Sequence, residues 1–227
     1  MKFKIINMKL ISRLKLLFIS QRDRYYKNLR MKYAGDLKEY LPQSPCIISN
    51  NCLGGFIYQD TGYSYLSPTI GLYFFFPDYI EFLSDLENNL KLKIDFVTES
   101  KYSVGNERLK SAKHKYPVGL LGGKFEIHFL HYHSEEEAEK KWNRRVERIN
   151  LANLIVIGTE LDLCTKEDIE KFDNLSFKNK FFFTKLEHKL KSTIIVPEFY
   201  SNPKIGDPYR NGHVLYKYFV QQLNSQN

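Results

Sequence analysis

Three clusters of side chains have the types and spacing that chemistry uses. The first is Ser49-Asn50-Asn51-Cys52, followed by Leu53-Gly54-Gly55. A hydroxyl or thiol becomes a nucleophile beside a base, an amide donates to a developing oxyanion, and paired glycines let successive backbone N–H groups turn toward an anion. Ser49 and Cys52 are therefore candidate nucleophiles, Asn50 and Asn51 candidate amide donors, and Gly54 and Gly55 the turn that presents them. The same residues also suit a polar turn whose asparagines cap backbone groups, with Cys52 packed as a small apolar side chain. Neither the dinucleotide-binding GxGxxG nor a P-loop is present, because the glycine spacing and the lysine are missing.

The second cluster is His128, His131 and His133. On a strand, alternation puts His131 and His133 on one face and His128 on the other, so the three do not converge as zinc ligands and no metal site is expected. His131 or His133 suits a general base or a donor to an anionic substrate. The alternative is histidines satisfied by neighbouring carbonyls. The third cluster is Glu198, Asp207, Arg210 and His213. An Asp and a His ahead of a terminal helix can form the orienting and base pair of an acyl-transfer site, whereas Gly206-Asp207-Pro208 and Asn211-Gly212 also read as plain turns. Tyr58, Tyr63, Tyr65, Ser67 and Thr69 add hydroxyl-bearing and aromatic side chains that suit sugar faces or a packed loop. Arg144 and Arg148, one helical step apart, suit either a phosphate clamp or ion pairs with neighbouring glutamates.

The elements that must position these residues follow from apolar periodicity. Strand-like runs occur at 46–52, 71–76, 93–99, 124–132, 153–159, 180–184 and 193–198. Between them lie helical patterns: 77–90 opened by Pro77, 134–150 opened by Ser134 and Glu137, a short helix after Thr165, and 213–223. Residues 100–115 read as a basic polar loop. Strand–helix alternation with near-continuous apolar strands predicts an α/β fold, a three-layer Rossmann-like sandwich with a largely parallel sheet. Ligands in such sheets bind beyond the carboxyl ends of the strands, near a switch in strand order. All three clusters are adjacent to strand exits or to the last helix.

Charge is distributed unevenly. Residues 1–45 carry eleven basic and three acidic side chains, so the whole formal charge of +8 resides there and residues 46–227 are neutral. A folded domain with a basic stripe for nucleic acid is therefore not indicated, and no specific nucleic-acid partner is expected. Three cysteines without a CxxC pair indicate a reducing compartment rather than a disulfide framework. The longest apolar run of the first segment, Leu16-Leu17-Phe18-Ile19, is too short for a signal peptide or a membrane span. Ile6, Leu10, Leu14, Leu17 and Phe18 instead recur at helical spacing among lysines and arginines. This predicts a basic amphipathic helix over residues 1–45 that lies on an anionic membrane surface or packs on a protein, followed by one α/β domain over 46–227.

The segments SNNCLGGFIYQDTGYSYLSPTIGLYFFFPDYIEFL (49–83), YPVGLL (116–121) and IHFLHYHSEEEAEKKWNRRVERIN (127–150) carry a resemblance. The chain resembles an uncharacterised bacterial family, domain of unknown function 1919, often labelled exopolysaccharide biosynthesis protein. That resemblance implies a role in building capsule or other surface polysaccharide. A weaker similarity, to acyltransferase and esterase folds of the SGNH type, implies a nucleophile after the first strand and an Asp–His pair before the last helix, although no GDS signature is present. The expectation is a cytoplasmic transferase, peripheral on the inner face of the plasma membrane, that moves an acyl group from an acyl-CoA donor to a sugar or lipid-linked sugar. The alternatives are glycosyl transfer from a nucleotide sugar and a noncatalytic sugar-binding scaffold. Ser49, Cys52, Asp207 and His213 would carry the chemistry. Asn50, Asn51, Gly54, Gly55, Tyr58, His131, His133 and Arg210 would bind substrate.

Overall fold

The structure is a computed structural model that describes residues 2–226, with side chains from Ile19 onward. In chain order its elements are α1 (Lys2–Tyr40), β1 (Cys46–Ser49), α2 (Leu53–Thr61), β2 (Tyr73–Phe74), α3 (Phe76–Ser84), α4 (Leu86–Asn89), β3 (Ile94–Val97) and α5 (Ser103–Ser111). There follow β4 (Val118–Leu121), β5 (Phe125–His128), α6 (Glu135–Val146), β6 (Leu154–Thr159), α7 (Lys166–Asn174), β7 (Lys180–Thr184), β8 (Thr193–Ile195) and α8 (Pro208–Asn224). The fold is mixed α/β.

Two four-stranded sheets form. One is wholly parallel, in the order β1-β6-β7-β8, and the other is antiparallel, in the order β2-β5-β4-β3. The apolar runs at 71–76, 93–99 and 124–132 thus belong to a second sheet and do not extend the parallel one. Apolar strands alone do not report pairing direction, and here β3, β4 and β5 follow one another through connections that bring each strand back antiparallel to the last. The parallel order also runs one way along the sheet, so the expected switch in strand order is replaced by an edge at β1.

Both faces of the parallel sheet are buried. Ile47, Ile155, Ile157, Phe181, Phe183 and Ile194 pack with Leu37, Leu53, Leu215 and Phe219 from α1, α2 and α8. Ile48, Val156 and Phe182 point the other way, into a core shared with α3, α7, Trp142 of α6 and the antiparallel sheet. A Cβ on Gly158 would lie 2.5 Å from the Phe182 ring, so glycine is what lets that ring cross the sheet face. The Tyr79 hydroxyl of α3 reaches the carbonyls of Ile157 on β6 at 2.9 Å and Ile48 on β1 at 3.2 Å, tying α3 to two adjacent strands of the parallel sheet.

The second half of α1 packs on the body. Arg30, Ala34, Leu37 and Leu41 are buried at helical spacing against α8 and α2. The Arg30 Nε donates to the Asp60 carboxylate at 2.6 Å, and the Tyr216 hydroxyl donates to the same carboxylate at 3.1 Å. Ile6, Leu10, Leu14, Leu17 and Phe18, the apolar stripe expected near the start of α1, lie outside the residues whose side chains are described. No helix among the described residues is long and apolar enough to cross a membrane.

Other elements depart from the sequence reading. Residues 103–111, expected as loop, form α5, and β4 is an added strand; short amphipathic and glycine-containing segments give weak periodic signals. Helix α8 begins at Pro208, five residues before His213, because Asp207 caps it through the Arg210 N–H at 3.0 Å and Pro208 takes a first-turn position. Strand β5 ends at His128, so strand alternation does not govern His131 and His133. Thr165 and Asp168 form a reciprocal capping box on α7.

Candidate functional site

The turn after β1 is built by its own polar side chains. Ser49 is fully buried; its Oγ donates to the Asn51 carbonyl at 2.7 Å and accepts from the Gly54 N–H at 3.2 Å. The Asn51 Oδ1 accepts from the Leu53 N–H at 3.1 Å and its amide donates to the Thr159 Oγ1 at 2.6 Å. These bonds satisfy two of the free N–H groups at the start of α2. Asn50 is likewise committed, accepting from the Thr159 N–H at 3.1 Å. The turn therefore joins the exits of β1 and β6. The second sheet is hooked onto both exits: the Phe74 N–H donates to the Asn50 carbonyl at 2.9 Å and the Phe76 N–H to the Asp162 carbonyl at 2.7 Å.

Beyond these exits opens a cleft of about 920 Å³. Asn51 and Cys52 line it from the β1 exit, Leu161 and Asp162 from the β6 exit, and His131 from the turn after β5. Tyr73, Arg108 and Tyr116 form another wall, and the segment from Asn202 to Tyr209, Asp207 included, closes it. This is the carboxyl end of a parallel sheet, where open α/β folds place ligands. The volume falls in the range of small-molecule sites.

Of the residues singled out from the sequence, Asn51, Cys52, His131 and Asp207 line this cleft. Ser49, with no exposure and both hydrogen-bonding functions engaged, is not among its lining residues. His213 sits on α8 close to Arg30 and Lys32 of α1; burial first, and then those cations, hold its pKa below the ordinary value. Asp207 spends its carboxylate on the cap of α8, and the cleft that it lines does not include His213. The structure does not bring Asp207 and His213 together as an orienting and base pair. Arg210 is exposed. The Tyr58 hydroxyl accepts from the Ile47 N–H at 2.8 Å and donates to the Pro45 carbonyl at 2.9 Å, inside the core. The His133 backbone N–H donates to Glu137, while its side chain is exposed. Gly54 packs beneath Ser49. The Arg148 Nε donates to the backbone carbonyl of Arg144 at 3.2 Å.

Electrostatics separate the remaining candidates. Burial pushes the Cys52 thiol up to about 12, so at neutral pH it is a thiol. His131 is exposed to the cleft, and the partial burial of its ring lowers its pKa from the ordinary 6.5, which favours the neutral imidazole. Burial also raises the Asp162 carboxyl above the ordinary 3.8, outweighing the Arg108 guanidinium 2.7 Å away. Asp162 and Leu163 both adopt left-handed backbone, with φ of 57° and 69°. Consecutive non-glycine residues in that region are held there by their surroundings, a form of strain concentrated at functional sites.

The wall carrying Tyr73 and Arg108 escaped the sequence reading. Arg108 lies over the Tyr73 and Phe75 rings at 5.1 and 5.2 Å, and the hydroxyls of Tyr73 and Tyr116 are 3.3 Å apart. Behind Tyr73 the ring of His128 stacks at 4.5 Å, and its Nε2 meets the Glu126 carboxylate at 2.6 Å. Glu126 also accepts from the Ser100 hydroxyl and from the Lys101 N–H. Burial alone would raise the Glu126 carboxyl, but the hydrogen bonds from His128, Ser100 and Lys101 outweigh it and bring it below its ordinary value. The signal available in the sequence was Arg108, a basic residue within a segment read as loop. Among the described residues no group of three or more His, Cys, Asp or Glu side chains is placed to hold a metal ion.

Comparison with known proteins adds relatives to this geometry. A protein of Haemophilus influenzae, described only as uncharacterized, is 33% identical over 206 residues, covering 88% of this chain and 91% of its own length. The family model of a domain of unknown function, DUF1919, matches residues 20–225. The matched stretch begins where α1 starts to pack on the body and ends with α8, so it spans both sheets and every wall of the cleft. The chain belongs to the DUF1919 family.

Proposed function

We propose that this protein is an acyltransferase of surface-polysaccharide assembly, moving an acyl group from a CoA thioester to a sugar hydroxyl. The observation that carries this reading is the neutral His131 imidazole facing the cleft beyond β1 and β6, beside an unionised Cys52. That pairing suits a general base and does not suit an activated thiolate. In the reaction an imidazole nitrogen of His131 takes the proton of the sugar hydroxyl as its oxygen attacks the thioester carbonyl. The C–O bond forms, the C–S bond breaks, and the proton held by His131 passes to the departing sulfur, leaving an ester and free CoA. Arg108 and Lys204 supply positive charge for a phosphorylated donor.

This reading takes the body as a Rossmann-like, three-layer arrangement, with the antiparallel sheet contributing to the layer opposite α1, α2 and α8. The exopolysaccharide role rests on the resemblance carried by residues 49–83, 116–121 and 127–150, and the basic first segment is read as an address for the anionic inner face of the plasma membrane, with the body in the cytoplasm. A second reading, glycosyl transfer from a nucleotide sugar, draws on Asp162, a carboxylate placed beside a guanidinium in the same cleft. Thermal shift separates the two. Stabilisation of the purified chain by acetyl-CoA supports acyl transfer. Stabilisation only by nucleotide sugars overturns it in favour of glycosyl transfer, and a response to neither overturns both in favour of a noncatalytic sugar-binding scaffold.

A further inference from the structure

The cleft does not stop at Cys52. A second cavity, of about 240 Å³, opens on the other side, and the two share Cys52, Phe56 and His131. The cavities differ in size and in charge. Arg108, Asp162, Lys204 and Asp207 put four acidic or basic side chains around the larger one, beyond the shared His131. The smaller one is lined by Gly55, Gln59, Tyr65, Ile70 and Gly71 in addition to the shared residues, with no Asp, Glu, Lys or Arg. Its volume equals roughly eight water molecules at about 30 Å³ each, room for a single sugar ring and too little for a nucleotide.

The walls of the small cavity suit a polyol. Tyr65 is half-buried, held by the edge of Tyr58 at 5.6 Å and by the Arg145 guanidinium at 5.7 Å, and such a fixed ring offers an apolar face for the C–H side of a sugar. The Gln59 amide is exposed and can both donate to and accept from hydroxyls. Gly71, at φ 73°, accepts from the His131 N–H at 2.9 Å; its missing Cβ, which would stand 3.3 Å from that of His131, lets the two segments close. The backbone that carries the base is thereby fixed at the wall common to both cavities. A direct transfer between two bound substrates needs this placement, because the attacking oxygen and the carbonyl must approach within about 3–3.5 Å beside one base.

We propose that the small cavity is the acceptor subsite, holding one uncharged sugar ring against Tyr65 with a hydroxyl directed at His131, while the donor occupies the larger cavity. This rests on the acyl-transfer reading. The test is saturation-transfer difference NMR on the full chain, with CoA and an equimolar mixture of the methyl glycosides of glucose, galactose and N-acetylglucosamine. Gly55→Leu fills the small cavity; a Cβ at this site meets only Ile70, at an ordinary 3.7 Å, and a near-UV circular dichroism spectrum matching the wild type checks that the variant folds. Gln59→Ala removes the exposed amide. At least one glycoside saturates in the wild type, its signal drops at least tenfold in Gly55→Leu and falls in Gln59→Ala, and the CoA signals persist in both. Glycoside signals unchanged in both variants, or absent from the wild type, overturn the acceptor subsite. CoA signals absent from the wild type overturn the acyl-transfer reading instead, and with it the donor half of the proposal.

Discussion

The Nε of Arg30 lies 2.6 Å from the Asp60 carboxylate, with both side chains almost wholly out of water. This ion pair fastens α1 to α2, and the Tyr216 hydroxyl extends it to α8. The Arg30 guanidinium also covers the Phe56 ring at 4.2 Å, and Phe56 lines both cavities. Removing one partner leaves a buried charge uncompensated, which costs about 3–5 kcal/mol. Arg30→Ala should lower the urea midpoint accordingly, and Arg30→Met paired with Asp60→Leu should recover most of the loss. A single variant with unchanged stability would show that the pair is not sequestered from water.

Truncation should divide at the point where α1 begins to pack. Deleting residues 2–18 is expected to preserve the melting temperature, since among the described residues the buried contacts of α1 are made by Arg30, Ala34 and Leu37. It should abolish flotation with liposomes of phosphatidylglycerol and phosphatidylethanolamine if the first segment is the membrane address. Deleting residues 1–45 should instead unfold the chain, as seen by loss of near-UV circular dichroism. Undiminished flotation of the shorter deletion would remove the membrane-helix idea.

His131 sets a pH dependence with a definite sign. Its imidazole titrates below the ordinary 6.5, so the base form is present at neutrality and lost on acidification. Acetyl transfer from acetyl-CoA to the glycoside that binds should fall along an acid limb with its inflection below 6.5. His131→Ala should reduce kcat by about 10²–10⁴ and erase the limb. An unchanged profile in the variant would exclude His131 as the base.

Cys52 should be dispensable. With its thiol pushed up to about 12 it reacts slowly with iodoacetamide at pH 7.5, and Cys52→Ala should keep the transfer activity. Mass spectrometry of the chain incubated with acetyl-CoA should show no acetylated Cys52. An acyl-enzyme on this residue would replace direct transfer by a covalent route.

Glu126 should govern stability in acid. Its folded pKa is below the 4.5 of an ordinary glutamate, so its contribution is complete above about 4.5 and drains away as pH falls through the folded value. Urea midpoints measured from pH 7 to pH 3 should fall less steeply in Glu126→Gln than in the wild type. Parallel slopes would place the acid sensitivity elsewhere.

Gly54→Ala tests how tightly the β1 turn is packed. A Cβ there would stand 2.8 Å from the Ser49 Oγ and 3.1 Å from Ile47, so the cap made by Ser49 must give way. The expected cost is about 1–3 kcal/mol in urea denaturation. A neutral effect would mean that the turn has room to relax.

What the amino-acid sequence determined by itself was local. Apolar runs marked β1, β6, β7 and β8, Ser134 and Thr165 marked the starts of α6 and α7, and the +8 charge was confined to the first 45 residues. These follow from periodicity and capping, which act between residues a few positions apart. The polar turn at 49–52 was visible too, but both of its uses were open, and the structure engages Ser49 and Asn51 as caps of α2. Which strands pair antiparallel was not legible, because pairing direction depends on connections and on contacts between distant segments. Nor was the wall of Tyr73, Arg108 and Tyr116, or the separation of Asp207 from His213. Only tertiary packing brought Cys52 and His131, 79 positions apart in sequence, to the partition between two cavities. It did so by hydrogen-bonding the His131 N–H to Gly71 and by folding two sheets against each other at the β1 and β6 exits.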